Sequence, residues 1–233
     1  IQENAVKKQV AGMSAAMAVI APIWNIIYSF GLLCGIGGSV IYAVARGERD
    51  DVKAANGYFT SAFILGTLWA LILWVLVWVC EEPLLRLFGA NDALMPLCKE
   101  YMVAPKLTVP VYVFINLLSS FLRNDGDPGR ATKAVIFGGI FNVFGDYFFV
   151  FTLDMGIKGA GIATAMGASM SVLVMLTHFI SKKNTLKFVK PLRILNNFKM
   201  ISVNGFSSFI VDVAMGIATM LFNRRVMEYL GTD

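Results

Sequence analysis

The chain has 233 residues, 57% of them apolar and only 15% charged, where a soluble domain carries roughly 25% charged residues. That balance excludes a soluble globular domain and points to a polytopic membrane protein of all-α class, because uncharged runs from Val10 to Ala45 and from Ala54 to Cys80 exceed the about 20 residues that cross a bilayer as helix. The net charge of +5 is a topology signal, since its lysines and arginines cluster in particular loops, and nucleic acid need not be invoked.

Six hydrophobic segments follow in order: Met13–Ala45, Ala54–Cys80, Cys98–Leu122, Lys133–Leu153, Gly159–Ser181 and Met200–Asn223. The first is overlong and is expected to include an interfacial turn before Pro22. One set of loops, beginning with Arg46 and Lys53 and ending with the basic run Lys182–Lys199, holds twelve cations. The other, with Lys7, Lys8, Arg86, Lys99, Lys158, Arg224 and Arg225, holds seven. The first set is therefore cytoplasmic. Six crossings would then start and finish outside, with the polar stretch IQENAVKKQ exported without a leader. A further helix upstream removes the difficulty, and a piece of a longer transporter is the expectation.

In the first segment, GLLCGIGGS places Gly31 and Gly35 in GxxxG spacing with Gly37 and Gly38 behind; small residues let membrane helices approach closely. No strand precedes these glycines, as a phosphate-cradling loop would require. Asp50 or Asp51 should cap the second helix. The loops RGERDDVKAANG and RNDGDPGRATK read as charged, solvated turns, or as hinges between helix pairs that rock as units. Trp69, Trp74 and Trp78 suit an interfacial belt. Pro105 and Pro110 should bend the third segment; Lys106 within it should snorkel outward, with a pairing to Asp146 as the alternative. Cys34, Cys80 and Cys98 form no CxxC and lie near no histidine cluster, so packed thiols are expected and a metal site is unsupported.

The fourth segment carries Asn142 and Asp146, four residues apart and so on one helical face. A carboxylate at that depth costs about 2.5–3.5 kcal/mol on insertion scales, and intramembrane acids mark ion pathways more often than they serve as interior glue. The fifth, GIKGAGIATAMGAS, is rich in small residues that let it press against the fourth, and it offers the Thr164 hydroxyl and a nearby backbone carbonyl. Carboxylate, amide, hydroxyl and carbonyl oxygens are hard ligands for small hard cations. His178, beside Lys182 and Lys183, reads as a surface histidine rather than a proton relay. The run KKNTLKFVKPLRILNNFK reads as an amphipathic connector lying on anionic lipid. Asp212, in FSSFIVDVAMG, is a second acid at membrane depth.

The stretches RGERDDVKAANG, RLFGAND, FLRNDGDPGRATKA, NVFGDYFFVFTLDMGIKGAGIATA and NGFSSFIVDVAMG resemble, in order and spacing, the bacterial multidrug and toxic compound extrusion (MATE) family. The resemblance implies a transporter of about twelve helices in two lobes. This chain would supply helices two to six of the amino-terminal lobe (residues 1–181), a basic cytoplasmic connector (182–199) and the first helix of the other lobe (200–233). It implies an ion site in which Asn142, Asp146, Thr164 and the Ala160 carbonyl join an aspartate of a first helix that has no counterpart here. It also implies that Asp212 matches an acidic residue of helix seven, though the proline many relatives carry near Ser207 is absent. The function implied is efflux of cationic or amphipathic compounds in exchange for protons or sodium ions, with no cofactor and no enzymatic activity, from a bacterial or archaeal inner membrane. The partners implied are small cationic substrates, the bilayer and the other half of the transporter. A lipid-linked oligosaccharide flippase is the rival reading, but it should carry several cavity cations for a pyrophosphate, where only Lys106 is available. A non-transporting scaffold is the other. No serine–histidine pair, HExxH or paired-carboxylate constellation suggests an enzyme.

Overall fold

A computed structural model describes residues 2–48 and 51–230, with side chains described for 12–48, 51–223 and 225. The α-helices are α1 (Gln2–Gly47), α2 (Val52–Val79), α3 (Glu81–Leu87), α4 (Met95–Tyr101), α5 (Val103–Asn124), α6 (Pro128–Asp146), α7 (Gly156–Leu176) and α8 (Ile194–Leu230). Among the described residues six are long and apolar enough to cross a membrane, matching the six segments read from hydropathy. They are α1, α2, α5, α6 with the turns that follow it, α7, and α8. The chain is thus a multi-pass membrane helix bundle.

Helix α1 is the central post, packed against α2, α5 and α8, while α7 carries α6 against α5. Its glycines explain the approach. A Cβ at Gly31 would lie 2.9 Å from the Asn116 Cβ of α5, one at Gly35 2.7 Å from the Asn116 carbonyl oxygen, and one at Gly38 2.6 Å from the Ala62 Cβ of α2. Gly37 abuts the Ile201 carbonyl of α8, and Gly205 of α8 abuts the Leu33 carbonyl in return. The small-residue motif is a packing device on three sides of one helix. Around it, one apolar cluster with Ile20, Ile27, Leu73 and Val113 fills one half. A second, with Tyr42, Phe59, Leu117, Phe121 and Met175, fills the half nearer the most basic loops.

Two expected breaks fall differently. No turn interrupts α1 before Pro22; the helix runs on through the proline, a residue that membrane helices accommodate when neighbours surround the freed backbone group. The third segment is instead broken at Met102, between α4 and α5. Pro105 offers no N–H to the Tyr101 carbonyl four residues earlier and its ring crowds that carbonyl, so α4 ends at Tyr101. Asp51 caps α2, accepting from the Ala54 amide at 2.8 Å; Asp50, the alternative cap, lies outside the described residues.

Lys106 pairs with Glu81 at 2.8 Å and stands 4.9 Å over the Trp78 ring, so it reaches the end of α2 and not Asp146. Trp74 donates its indole N–H to the Lys106 carbonyl at 2.6 Å, and Trp69 packs on Phe30 at 4.3 Å between ring centroids. Part of the tryptophan belt therefore docks helices. The three cysteines are free, and burial pushes the Cys98 thiol up to about 11, keeping it an unreactive packed thiol.

His178 is not on the surface. It is fully buried, its Nε2 2.7 Å from Asp125 Oδ2 and its Nδ1 3.2 Å from Asp127 Oδ2. Asp125 also accepts from the Tyr42 hydroxyl at 2.9 Å, the Thr185 amide at 2.9 Å and the Thr185 hydroxyl. The loop RNDGDPGRATK is thus no solvated turn: both its aspartates are buried. The following connector is tied to the bundle. It runs extended along α2, the Lys187 amide donating to Asn56 Oδ1 at 2.8 Å and the Val189 amide to Thr60 Oγ1 at 3.0 Å, with Leu186 buried. Helix α8 then starts at Ile194, six residues before the segment boundary read from hydropathy.

Burial works against ionised Asp125, but its donors outweigh it and hold the carboxyl below the usual aspartate range; the Arg130 guanidinium does the same for Asp127. A depressed folded-state value means stability that is complete above about pH 4, the unfolded aspartate value, and lost as pH falls through the folded value. Asp125→Asn should therefore flatten the loss of thermal stability in detergent below about pH 4; an acid limb as steep as wild type would contradict this cluster's role. Separately, Gly205→Leu should cost about 1–3 kcal/mol by overpacking α1 against α8. Gly139→Leu, where nothing lies within 4 Å, should leave the melting temperature unchanged; equal melting for both variants would refute the close approach.

Candidate functional site

The fourth and fifth spans meet through glycine. A Cβ at Gly145 of α6 would sit 2.9 Å from the Ala163 Cβ, and one at Gly167 of α7 would sit 2.8 Å from the Asn142 Cβ. No larger residue fits between the two backbones at these levels, and so the polar side chains of α6 and α7 are held close. Asn142 Nδ2 approaches Thr164 Oγ1 at 3.5 Å, a long contact, while the Thr164 hydroxyl donates to the Ala160 carbonyl at 2.9 Å. Three of the four residues read from the sequence as one site are thereby in a single chain of contacts.

Asp146 stands one helical turn beyond Asn142, as the last residue of α6. Its Oδ1 is buried and has no hydrogen-bond partner among the described residues. Immediately after it the chain widens into a π-helical turn, Tyr147–Thr152, a local conformation that occurs frequently at functional sites. Neither lysine nor arginine forms an ion pair with Asp146 among the described residues. The alternative of interior glue would require bonds to neighbouring helices, and Oδ1 makes none.

A fifth residue joins this neighbourhood. Burial, chiefly, pushes the Tyr101 phenol up; the Thr164 hydroxyl draws it down and the charge of Asp146 adds to the rise. Tyr101 ends α4 at the Met102 break, so the break caused by Pro105 sets where this phenol stands. Its one sequence signal was the proline four residues ahead. Asp212 is not part of this group. It lies on α8, with a buried Oδ2 that has no partner among the described residues. No contact joins it to Asn142 or Thr164 among the described residues. His178 stands apart as well, inside the Asp125–Asp127 cluster. No group of three or more histidine, cysteine or acidic side chains is arranged to hold a metal ion among the described residues.

Comparisons with known proteins agree with this architecture. The chain is 24% identical over 225 residues to the multidrug export protein MepA of Staphylococcus saprophyticus, covering 93% of this chain and 48% of that protein. MepA of Staphylococcus aureus is 22% identical over 226 residues with the same coverage. Among solved structures, the inward-facing conformation of a multidrug resistance MATE family transporter of the MOP superfamily superposes with a TM-score of 0.85 at 25% identity, over 93% of this chain and 50% of that one. The MATE multidrug transporter DinF-BH gives 0.84 at 23% identity, over 96% and 50%. The chain thus spans about half the length of the relatives it matches. The family profile described as MatE matches residues 9–148, more than half of the sequence. With that match over a bundle of the same shape, this chain belongs to the MatE family.

Proposed function

We propose that the chain is one part of a secondary active efflux transporter, exporting cationic or amphipathic compounds in exchange for protons or sodium ions. The observation that supports this reading most is the buried Oδ1 of Asp146, without a partner among the described residues, one helical turn from the Asn142–Thr164–Ala160 contacts. A carboxylate at membrane depth is costly unless a cation joins it, and a cation that joins it in only one conformation shifts the equilibrium by its differential affinity for the two. In this reading Asp146 binds the coupling ion, while Asn142, Thr164 and the Ala160 carbonyl contribute further oxygens. Asp212, on the first helix of the second lobe, faces the substrate or a second proton. The partners are small cationic compounds, the bilayer of a bacterial inner membrane and the remaining half of the transporter. No cofactor or enzymatic step is needed.

The flippase alternative gains nothing from the geometry. Lys106, the cation it would draw on, is neutralised by Glu81 at 2.8 Å and is in no position to receive a pyrophosphate. In proteoliposomes of the full-length protein, Asp146→Asn should reduce ion-driven efflux by at least about tenfold, the loss of roughly 1.4 kcal/mol of coupling, with expression and melting temperature preserved. Wild-type rates from that variant would refute the proposal.

A further inference from the structure

A recess of about 760 Å³ opens between the start of α6 and the end of α7, at the end of the bundle that the excess of basic loops places in the cytoplasm. Arg130 and Lys133 come from the first turns of α6, and Lys183 follows α7. Arg130 is fixed in place: its Nε donates to Asp127 Oδ2 at 2.8 Å and one Nη to Thr177 Oγ1 at 2.5 Å, leaving the other Nη without a protein partner among the described residues. Asp127 is the acid in the lining, and it is already shared with His178; the charge of Lys183 also reaches it. Three cations against one committed carboxylate leave the recess positive, and Lys133 and Lys183 are exposed with no ion pair of their own among the described residues.

Below the cations the wall turns apolar. Lys133, Phe137 and Phe141 recur every four residues and so form one stripe along α6. Both rings are exposed, Phe137 at 50%, and Phe137 lines the recess together with Val174 of α7. A stripe with a cation at the membrane surface and aromatic rings directly beneath it has the polarity of a phospholipid, headgroup above and acyl chain below. Lysines near an anionic leaflet attract its lipids, and a guanidinium held at a fixed angle suits a phosphate oxygen better than a mobile ammonium does.

We propose that this recess binds a phosphate oxyanion, and that the apolar stripe makes its source the headgroup of an anionic phospholipid in the cytoplasmic leaflet. The site is separate from Asp146 and does not depend on the transport reading. The test titrates full-length protein in detergent with a fluorescent phosphatidylglycerol. Each lysine is worth roughly fivefold in affinity for anionic lipid, so Lys133→Gln with Lys183→Gln should weaken binding about 30-fold. The charge-preserving pair Lys133→Arg and Lys183→Arg should retain it, as should Lys187→Gln with Lys190→Gln on the connector outside the recess. Phosphatidylcholine and inorganic phosphate should fail to displace the probe. Wild-type affinity in the glutamine pair, or equal competition by phosphatidylcholine, would overturn the site. Displacement by inorganic phosphate as effective as by unlabelled phosphatidylglycerol would overturn the lipid as its source.

Discussion

Desolvation of one carboxylate organises the account of this molecule. Asp146 lies within a segment long and apolar enough to cross a membrane, and its Oδ1 is buried with no partner among the described residues. Everything that gives this carboxylate its surroundings follows from backbone geometry nearby. Glycine and alanine let α6 and α7 touch, which brings Asn142 to Thr164. The π turn begins at the next residue, and Pro105 ends α4 where Tyr101 can sense both Thr164 and Asp146. Low dielectric makes each of these polar contacts matter more than it would in water, and makes an incomplete set costly.

The contrast with the Asp125–Asp127 cluster sharpens the point. There the same chain buries two aspartates and surrounds them with donors from α1, α6, the end of α7 and the connector. The two acids of that cluster are satisfied within the protein, in keeping with the general rule for buried polar groups. Asp146 and Asp212 each keep a buried oxygen without a partner among the described residues, as does Glu81, whose other oxygen pairs with Lys106. The satisfied cluster also pins the connector where it leaves α7, and the Asn56 and Thr60 contacts carry the pinning along α2. The extended chain leading into α8 is therefore a fixed strap, and a shift of α8 relative to α1 would have to work through the glycine contact at Gly37 and Gly205.

Much of this was legible beforehand because it is local or periodic. Run lengths of apolar residues marked the six spans, the four-residue spacing put Asn142 and Asp146 on one face, GxxxG marked α1 as a close-packing helix, and Asp51 announced the start of α2. What escaped depends on convergence over long separations. His178 looked like a surface residue because it adjoins two lysines, and only the fold brings it to acids more than fifty positions earlier. Lys106 found Glu81 for the same reason. The connector looked amphipathic by composition, but its backbone amides meet Asn56 and Thr60, which lie more than a hundred residues away. The π turn has no simple sequence signature, and Pro22 was read as a break because neighbouring helices that shelter a freed carbonyl are invisible in one sequence.

The most direct test of the central claim watches the carboxyl group itself. Infrared difference spectra of the full-length protein, recorded as sodium is added or pH is lowered, should show a carboxyl band that changes with the ion and disappears in Asp146→Asn. A spectrum without any ion-dependent carboxyl change, or one whose change survives that substitution unaltered, would contradict the assignment of Asp146 as the place where a small cation comes and goes.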